Sequence, residues 1–400
     1  MTATSASDVG FRFRCVAGGY ALSAAGNYLN LVALSLYTYE VTGGGLGVGL
    51  VMALRLAAGS LGGLVAGRLV GRFDRRRLMI GADLVQAAAM TVLVLSARHV
   101  VVLAGVVVLL GAGNSLFTVA LRTSVPEMVG QSARVKANGL LVIAKSFATV
   151  TGFGGAGVVI GFGGVEAAFA MNAATFLVSA LAITIVRLRT EDSAPQRTSA
   201  RVTLGALPFL LLAMVVVRGI DALASSSHNV ALSVLAGTTQ DGAAFLSRFW
   251  VAWAVGILLA HHVVKRYWKP ASGERMFALG TGVMSISFAL AFTSPPTPVW
   301  LCLVAMAGFA DGVTEIAYTS RLQEEPERRR GGLFGLSSAA ETAGFAVGMV
   351  AAGASLEILP AVVVVAMFHG VALTAAAVLL LLKHWGTRHD MAIGTRSDPD

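Results

Sequence analysis

Two acids one helical turn apart, Asp311 and Glu315, lie in a stretch that is otherwise almost wholly apolar. On a helix such neighbours have β-carbons roughly 5–6 Å apart. Two carboxylates that close resist ionising together, and burial disfavours each charge further. The pair is therefore suited to taking up and releasing a proton. Arg218 and Asp221, three residues apart in another apolar stretch, can neutralise each other. Arg55, Asp83, Lys145, His228, Arg248 and Glu341 also fall inside apolar runs. A competing reading is structural, with Arg218 or Arg248 neutralising Asp311 and Glu315 as a salt bridge. A charge at the centre of a bilayer costs about 2.5–3.5 kcal/mol, so most of these groups must face a wet cavity or a partner.

The elements that carry them are apolar segments of membrane-spanning length. The 400 residues are 56% hydrophobic and only 13% charged, with a mean hydropathy of +0.76. Soluble domains average about 25% charged residues, so the chain reads as an all-α integral membrane protein. A spanning helix needs roughly 20 apolar residues. Twelve segments qualify: 14–38, 46–66, 78–97, 100–121, 138–160, 165–186, 204–235, 242–264, 276–293, 298–318, 333–355 and 360–382. With the N-terminus inside, twenty-five of the 30 Lys and Arg residues fall in cytoplasmic segments. Positive charge gathers on that side, so both termini are expected in the cytoplasm. The net charge of +9 is thus a topology signal and not a nucleic-acid footprint. Met1–Gly10 is too short and polar for a cleaved signal peptide. Cys15 and Cys302 have no metal-ligand spacing, and His261-His262 adjoins a basic loop as an interfacial pair. No nucleotide-binding loop and no H-E-x-x-H motif occur. No cofactor, metal site or enzymatic activity is expected.

Between the second and third segments runs Gly67–Arg77, Gly-Arg-Leu-Val-Gly-Arg-Phe-Asp-Arg-Arg-Arg. It resembles the signature loop of major facilitator superfamily transporters, roughly G-x-L-A-D-R-x-G-R-R-x. Gly67, Leu69, Arg72, Arg75, Arg76 and Arg77 match, whereas Gly71 replaces the Asp and Asp74 the second Gly. The variant is similar to the branch of siderophore exporters and macrolide efflux pumps, as are Tyr37–Gly45, Pro126–Val129 and Ala137–Leu140. The resemblance implies a conformational role for Gly67, Arg72, Asp74, Arg75, Arg76 and Asp83. In the family the loop Asp belongs to a charge relay, and Asp74 and Asp83 are the acids nearest that role here. Gly59, Gly63, Gly67 and Gly71 recur every fourth residue, which predicts a helix face open to close packing. Gly152-Phe153-Gly154-Gly155-Ala156-Gly157 resembles in part the G-P-x-x-G-G motif of antiporters, with Phe153 in place of Pro. A small-residue packing face is the competing reading. The acid of the first helix and the arginine of the fourth, carried by many proton-driven antiporters, are absent; Asn27 occupies the first region.

Arg187–Arg201 is the longest interior polar stretch. It predicts two pseudo-symmetric six-helix halves, 1–187 and 204–383, joined by a cytoplasmic linker at 188–203 and followed by a cytoplasmic tail at 384–400. Paired interruptions of hydrophobic segments mark midplane substrate sites in transporters built from repeats. An offset of about 200 residues carries Asn27 and Tyr28 onto Ser227 and His228, and Asn114, Ser115 and Thr118 onto Thr314, Glu315 and Tyr318. Asn27, Asn30, Asn114, Arg218, Asp221, His228 and Tyr318 are therefore candidate substrate ligands, with Asp311 and Glu315 as candidate proton carriers. The expected function is secondary active export of a small organic molecule (a drug, antibiotic or siderophore-like metabolite) by proton antiport through alternating access. The alternatives are a proton-coupled uptake permease of the same fold, or a membrane-embedded enzyme or receptor. The expected partners are a small-molecule substrate, protons and the lipid bilayer, with no nucleic acid, and the protein is expected to be a monomer. Enrichment in Gly, Ala, Val and Arg suggests a bacterial source and hence the inner (cytoplasmic) membrane.

The orientation is testable by single-cysteine labelling in intact cells. A cysteine at Thr239 should react with an impermeant reagent, and one at Thr387 only after permeabilisation. The opposite pattern reverses the topology.

Overall fold

The computed structural model describes residues 10–96, 98–185, 209–267, 273–325 and 327–394. The expected linker at 188–203 lies outside them. Every regular element among the described residues is a helix: α1 Phe11–Thr42, α2 Gly45–Val70, α3 Arg75–Leu95, then one helical run over Val100–Ile185. That run is broken at Gly130 (φ 75°) and Gly164 (φ 71°). Side chains rarely tolerate such backbone, which glycine adopts readily. The run is therefore three helices: α4 100–129, α5 131–163 and α6 165–185. The rest are α7 Phe209–Gly237, α8 Gly242–Tyr267, α9 Gly273–Ala291, α10 Thr297–Gln323, α11 Glu327–Leu356 and α12 Ala361–Gly394.

This makes twelve helices among the described residues, where nine stretches are long and apolar enough to cross a membrane. The polar residues between the fourth and fifth spans, a connection read from the sequence as able to form a short surface helix, are helical on both sides of Gly130. Likewise α12 runs on to Gly394, well past the apolar stretch ending at 382. Large apolar side chains stand outward, Phe162 at 93% exposure and Leu95 at 80%. Such a surface suits lipid and not water.

The chain forms two compact units, Met1–Gln196 with Leu232–Val251, and Arg197–Ala231 with Ala252–Asp400. They differ from the halves expected from the sequence in the stretch 232–251. In the first unit Phe13, Met79, Phe117, Leu121 and Ile183 form a buried cluster. In the second, Leu211, Met214, Phe277, Tyr318 and Leu333 do so.

Without a hydrophobic driving force inside lipid, helices associate through close backbone approach at small residues. The fourfold glycine spacing places this approach on α2 along Gly59, Gly63, Gly67 and Gly71; the structure has it at Gly59, where an added β-carbon would lie 3.4 Å from the Gly111 carbonyl, and corrects it at Gly63 and Gly67. A β-carbon on Gly67 would meet nothing within 4 Å, and one on Gly63 would only reach Ser115 Cβ at 4.0 Å. The tightest positions are Gly62, whose β-carbon would come within 2.7 Å of Ala112 Cα, and Gly111, whose β-carbon would strike the Arg55 carbonyl. Spacing by four identifies a smooth face but not the neighbour it meets. In the second unit a β-carbon on Gly344 would strike the Gly219 carbonyl, so α7 and α11 nearly touch there.

Ion pairs tie the start of α9 to the ends of α10 and α12. Glu274 accepts 2.7 Å hydrogen bonds from Arg321 Nε and Lys383 Nζ. Burial alone would raise the Glu274 carboxyl, but the two cationic donors prevail and hold it down at about 2. A depressed carboxyl contributes stability above its unfolded value of 4.5 that is lost as pH falls through about 2. Glu274→Gln should therefore lower the melting temperature at pH 7, and the gap to wild type should narrow steadily below pH 4.5. A gap that is constant from pH 7 to pH 3 would contradict the assignment.

Candidate functional site

Ionisable side chains gather at two places, one in each unit. In the second unit the centre is Arg218 of α7, which is only 9% exposed. Gly219 and Gly344 bring α11 against α7 one residue beyond it, and Glu341 stands three residues before Gly344. Arg218 Nη2 donates to Glu315 Oε2 of α10 at 2.7 Å and to Glu341 Oε1 at 3.2 Å. Its Nη1 lies 3.6 Å from Asp221 Oδ2. Asp311, one turn before Glu315 on α10, is within electrostatic reach of the same guanidinium.

Tyr318 sits beneath the cation, its ring centroid 5.6 Å from Arg218 Cζ, and its hydroxyl donates to Ser337 Oγ at 2.7 Å. The exposures divide the cluster. Asp221 is buried at 3%, whereas the Glu315 and Glu341 side chains are 53% and 46% exposed. Among the described residues, none of the four carboxylates pairs with another base. The cluster thus holds four acids to one fixed cation. Fully ionised, it would carry a surplus of negative charge, with two of the four carboxylates half exposed.

His228 goes elsewhere on α7. It is 4% exposed, lies against Phe288 with ring centroids 3.8 Å apart, and shares a 3.1 Å Nδ1···Nε2 hydrogen bond with His369 of α12. Asn229 Nδ2 lies 3.3 Å from its other ring nitrogen. The structure therefore does not bring His228 together with Arg218 and Asp221.

In the first unit a cavity of about 330 Å³ is bordered by residues from all six of α1 to α6. Asn27, Asn114 and Asp83 line it together with Arg55, Gln86 and Lys145. Asn30 is fully buried, away from the cavity lining, and neither of its side-chain polar atoms has a hydrogen-bond partner among the described residues.

The loop residues make structural bonds. Asp74 caps α3 by accepting from the Arg77 amide at 2.8 Å. Arg75 donates to the Thr123 carbonyl at 3.0 Å, and Arg76 to the carbonyls of Ile183 and Thr184 at the end of α6. Gly67 and Arg72 are exposed. The Gly152–Gly157 stretch is likewise packed: Phe153 stacks on Trp250 at 4.8 Å, and the Gly157 amide donates to Ser247 Oγ at 2.7 Å.

Sequence reasoning missed Glu341 as a partner of Arg218, and Arg55, Gln86 and Lys145 as neighbours of Asn27 and Asn114. Their signal was an ionisable or amide group inside an apolar run, which marks a residue without naming its partner. His369, inside the run 360–382, carried the same signal.

Twelve helices, an apolar exterior and buried ionisable clusters define a multi-pass integral membrane protein with polar sites inside its helical units. The model of the Major Facilitator Superfamily matches residues 16–328. The chain belongs to this superfamily and is a transporter, not an enzyme. It is 25% identical over 181 residues to macrolide efflux protein A of Streptococcus pyogenes, covering 44% of this chain and 45% of that protein. The match thus spans less than half the length of this relative.

Among solved structures, a mutant form of the nucleoside transporter NupG aligns with a TM-score of 0.73 at 14% identity, covering 92% of this chain and 99% of that one. A peptide transporter POT in complex with sulfate aligns at 0.75 and 15%, covering 94% and 96%. A bacterial homologue of the iron transporter ferroportin, in an inward-facing state, aligns at 0.70 and 17%, covering 92% and 96%. At these identities the likeness establishes the fold alone.

Removing one partner of a buried ion pair typically costs about 3–5 kcal/mol, because the other charge is left uncompensated. Arg218→Gln should therefore lower the thermal stability of the purified protein. Adding Asp221→Asn to it should restore part of the loss, since the buried carboxylate left uncompensated is then removed. Additive losses in the double variant would show that the two side chains do not act as a pair.

Proposed function

We propose that the protein exports a small organic molecule in exchange for protons, alternating between inward- and outward-open states in a bacterial inner membrane with both termini cytoplasmic. The observation that carries this reading is the single buried guanidinium of Arg218 among Asp221, Asp311, Glu315 and Glu341. Arg218 can fully compensate one carboxylate. The remaining negative charge is costly in a membrane interior, so the cluster takes up protons or a cationic group of the cargo. Ligands that compete for one set of carboxylates exchange for each other, which is antiport.

Asp311 and Glu315 are the proposed proton carriers. Glu315 is both half exposed and bonded to Arg218, so a proton arriving there releases the guanidinium to Glu341 and Asp221. The export direction is supported by the match to macrolide efflux protein A and by the glycine stretch in α5. The cargo class follows the same support: amphiphilic drugs, antibiotics or siderophore-like metabolites. Asn27, Asn30, Asn114, Arg218, Asp221, His228 and Tyr318 are the proposed cargo ligands. Gly67, Arg72, Asp74, Arg75, Arg76 and Asp83 are the proposed conformational residues.

The test uses proteoliposomes and a macrolide as first probe, with an imposed pH gradient. The wild type should move the probe uphill against proton flow, and the direction should reverse with the gradient. Glu315→Gln or Asp311→Asn should retain probe-for-probe exchange and lose uphill movement. Unchanged gradient-driven transport in both variants would remove these acids from the coupling. Probe movement along with the protons would replace export by uptake.

A further inference from the structure

The cavity in the first unit has a charge pattern opposite to that of the Arg218 cluster. Arg55 of α2, Arg122 of α4 and Lys145 of α5 line it, against one acid, Asp83 of α3. None of the three cations makes an ion pair among the described residues, whose ion pairs lie elsewhere. The close backbone approaches of the fold create this convergence. Gly111 lets α4 meet α2 at the Arg55 carbonyl, and a β-carbon on Gly113 would come within 2.8 Å of Gln86 Cγ.

Two further features shape what a ligand would meet. Asp83 and Gln86 are each 1% exposed and line the cavity; Ser179 is the hydrogen-bonding neighbour of the Asp83 carboxyl, and Gln86 Oε1 lacks a donor among the described residues. Gln86 Oε1 is an acceptor, so it is left to water and not to an anion. The cavity also offers apolar faces: Tyr20 and Phe117 are stacked with centroids 6.4 Å apart, and Tyr28 and Phe176 line the same space. A volume of about 330 Å³ is within the usual range for small-molecule sites, roughly 300–1,000 Å³.

We infer that this cavity binds an organic anion, a carboxylate or phosphate carried on a flat apolar body, with Arg55, Lys145 and Arg122 neutralising the charge and Asn27 and Asn114 as hydrogen-bonding partners. This rests on the transporter reading and deepens it: the cargo then carries an acidic group as well as the cationic group that competes with protons for the carboxylates. Asp83 faces the same space and opposes an anion while ionised, so its replacement by an amide should strengthen binding. A merely structural role for the lining would not produce a gain.

The probe is benzoate, titrated against purified full-length protein in phosphatidylcholine nanodiscs, with benzylamine as the charge control. Benzoate should raise the melting temperature and lose that effect in Arg55→Gln, whereas any effect of benzylamine belongs to the Arg218 cluster and should be unchanged in Arg55→Gln. Lys145→Gln, at an exposed position, should weaken benzoate binding about tenfold, which corresponds to about 1.4 kcal/mol. Arg55→Gln should abolish it, Arg55→Lys should retain part of it, and Asp83→Asn should tighten it several-fold. Glu315→Gln should bind benzoate like the wild type. If uphill transport is lost as expected in that variant but benzoate binding never appears, the anion site fails and the coupling stands. If benzoate binds as described while Glu315→Gln still transports uphill, the coupling fails and the anion site stands. Equal benzoate effects in wild type, Lys145→Gln and Asp83→Asn overturn the proposal. So does a phosphatidylglycerol nanodisc that reproduces the stabilisation and blocks benzoate, because the occupant is then a lipid headgroup.

Discussion

The structure depends on the cost of charge in an apolar medium. An uncompensated side-chain charge at the bilayer centre costs on the order of 2.5–3.5 kcal/mol. Arg218 is kept at 9% exposure only because Glu315, Glu341 and Asp221 lie within 4 Å of it. Packing follows from that need. Gly219 and Gly344 admit the backbone approach that carries Glu341 to the guanidinium, and Tyr318, fixed by Ser337, closes the other side. The same constraint that holds the cation also creates the functional opening. Four acids stand around one base, and the proposed proton exchange rests on that imbalance. A core with Arg218 and a single acid would be satisfied and inert.

The two units solve the problem in opposite ways. Around Arg218 the surplus is acidic, whereas around the 330 Å³ cavity of the first unit it is basic. Sequence counting cannot separate these, because five acids and four bases scattered over the spans read as near balance. The distinction appears only once each charge is assigned to its unit.

The helical architecture is largely legible in the sequence because its signal is additive: some twenty apolar residues mark a span whatever their neighbours. The breaks are legible in part. Nothing at Gly130 distinguishes it from the many other glycines of the chain, so the position of the break is not legible even where helix in this connection is. The site is legible as residue types and not as partners. Arg218, Asp221, Asp311, Glu315 and Tyr318 stand out in the sequence, and they converge. His228 joins them by repeat offset but pairs with His369, because it stands seven residues, about 10 Å at roughly 1.5 Å per residue, beyond Asp221 along α7. Arg55, Gln86 and Lys145 escape notice as a set because they come from three different helices. Backbone approach at Gly111 and close packing at Gly113 bring the helices of Arg55 and Gln86 against α4, and no local pattern announces either contact.

The central claim is that the Arg218 cluster holds exchangeable protons. Infrared difference spectroscopy of the purified protein across a pH step tests it without a known cargo, because a protonated carboxyl has its own carbonyl absorption. The account predicts a protonated-carboxyl band that disappears at alkaline pH and is diminished in both Asp311→Asn and Glu315→Gln. A band that is absent, or one that these substitutions leave unchanged, would contradict it.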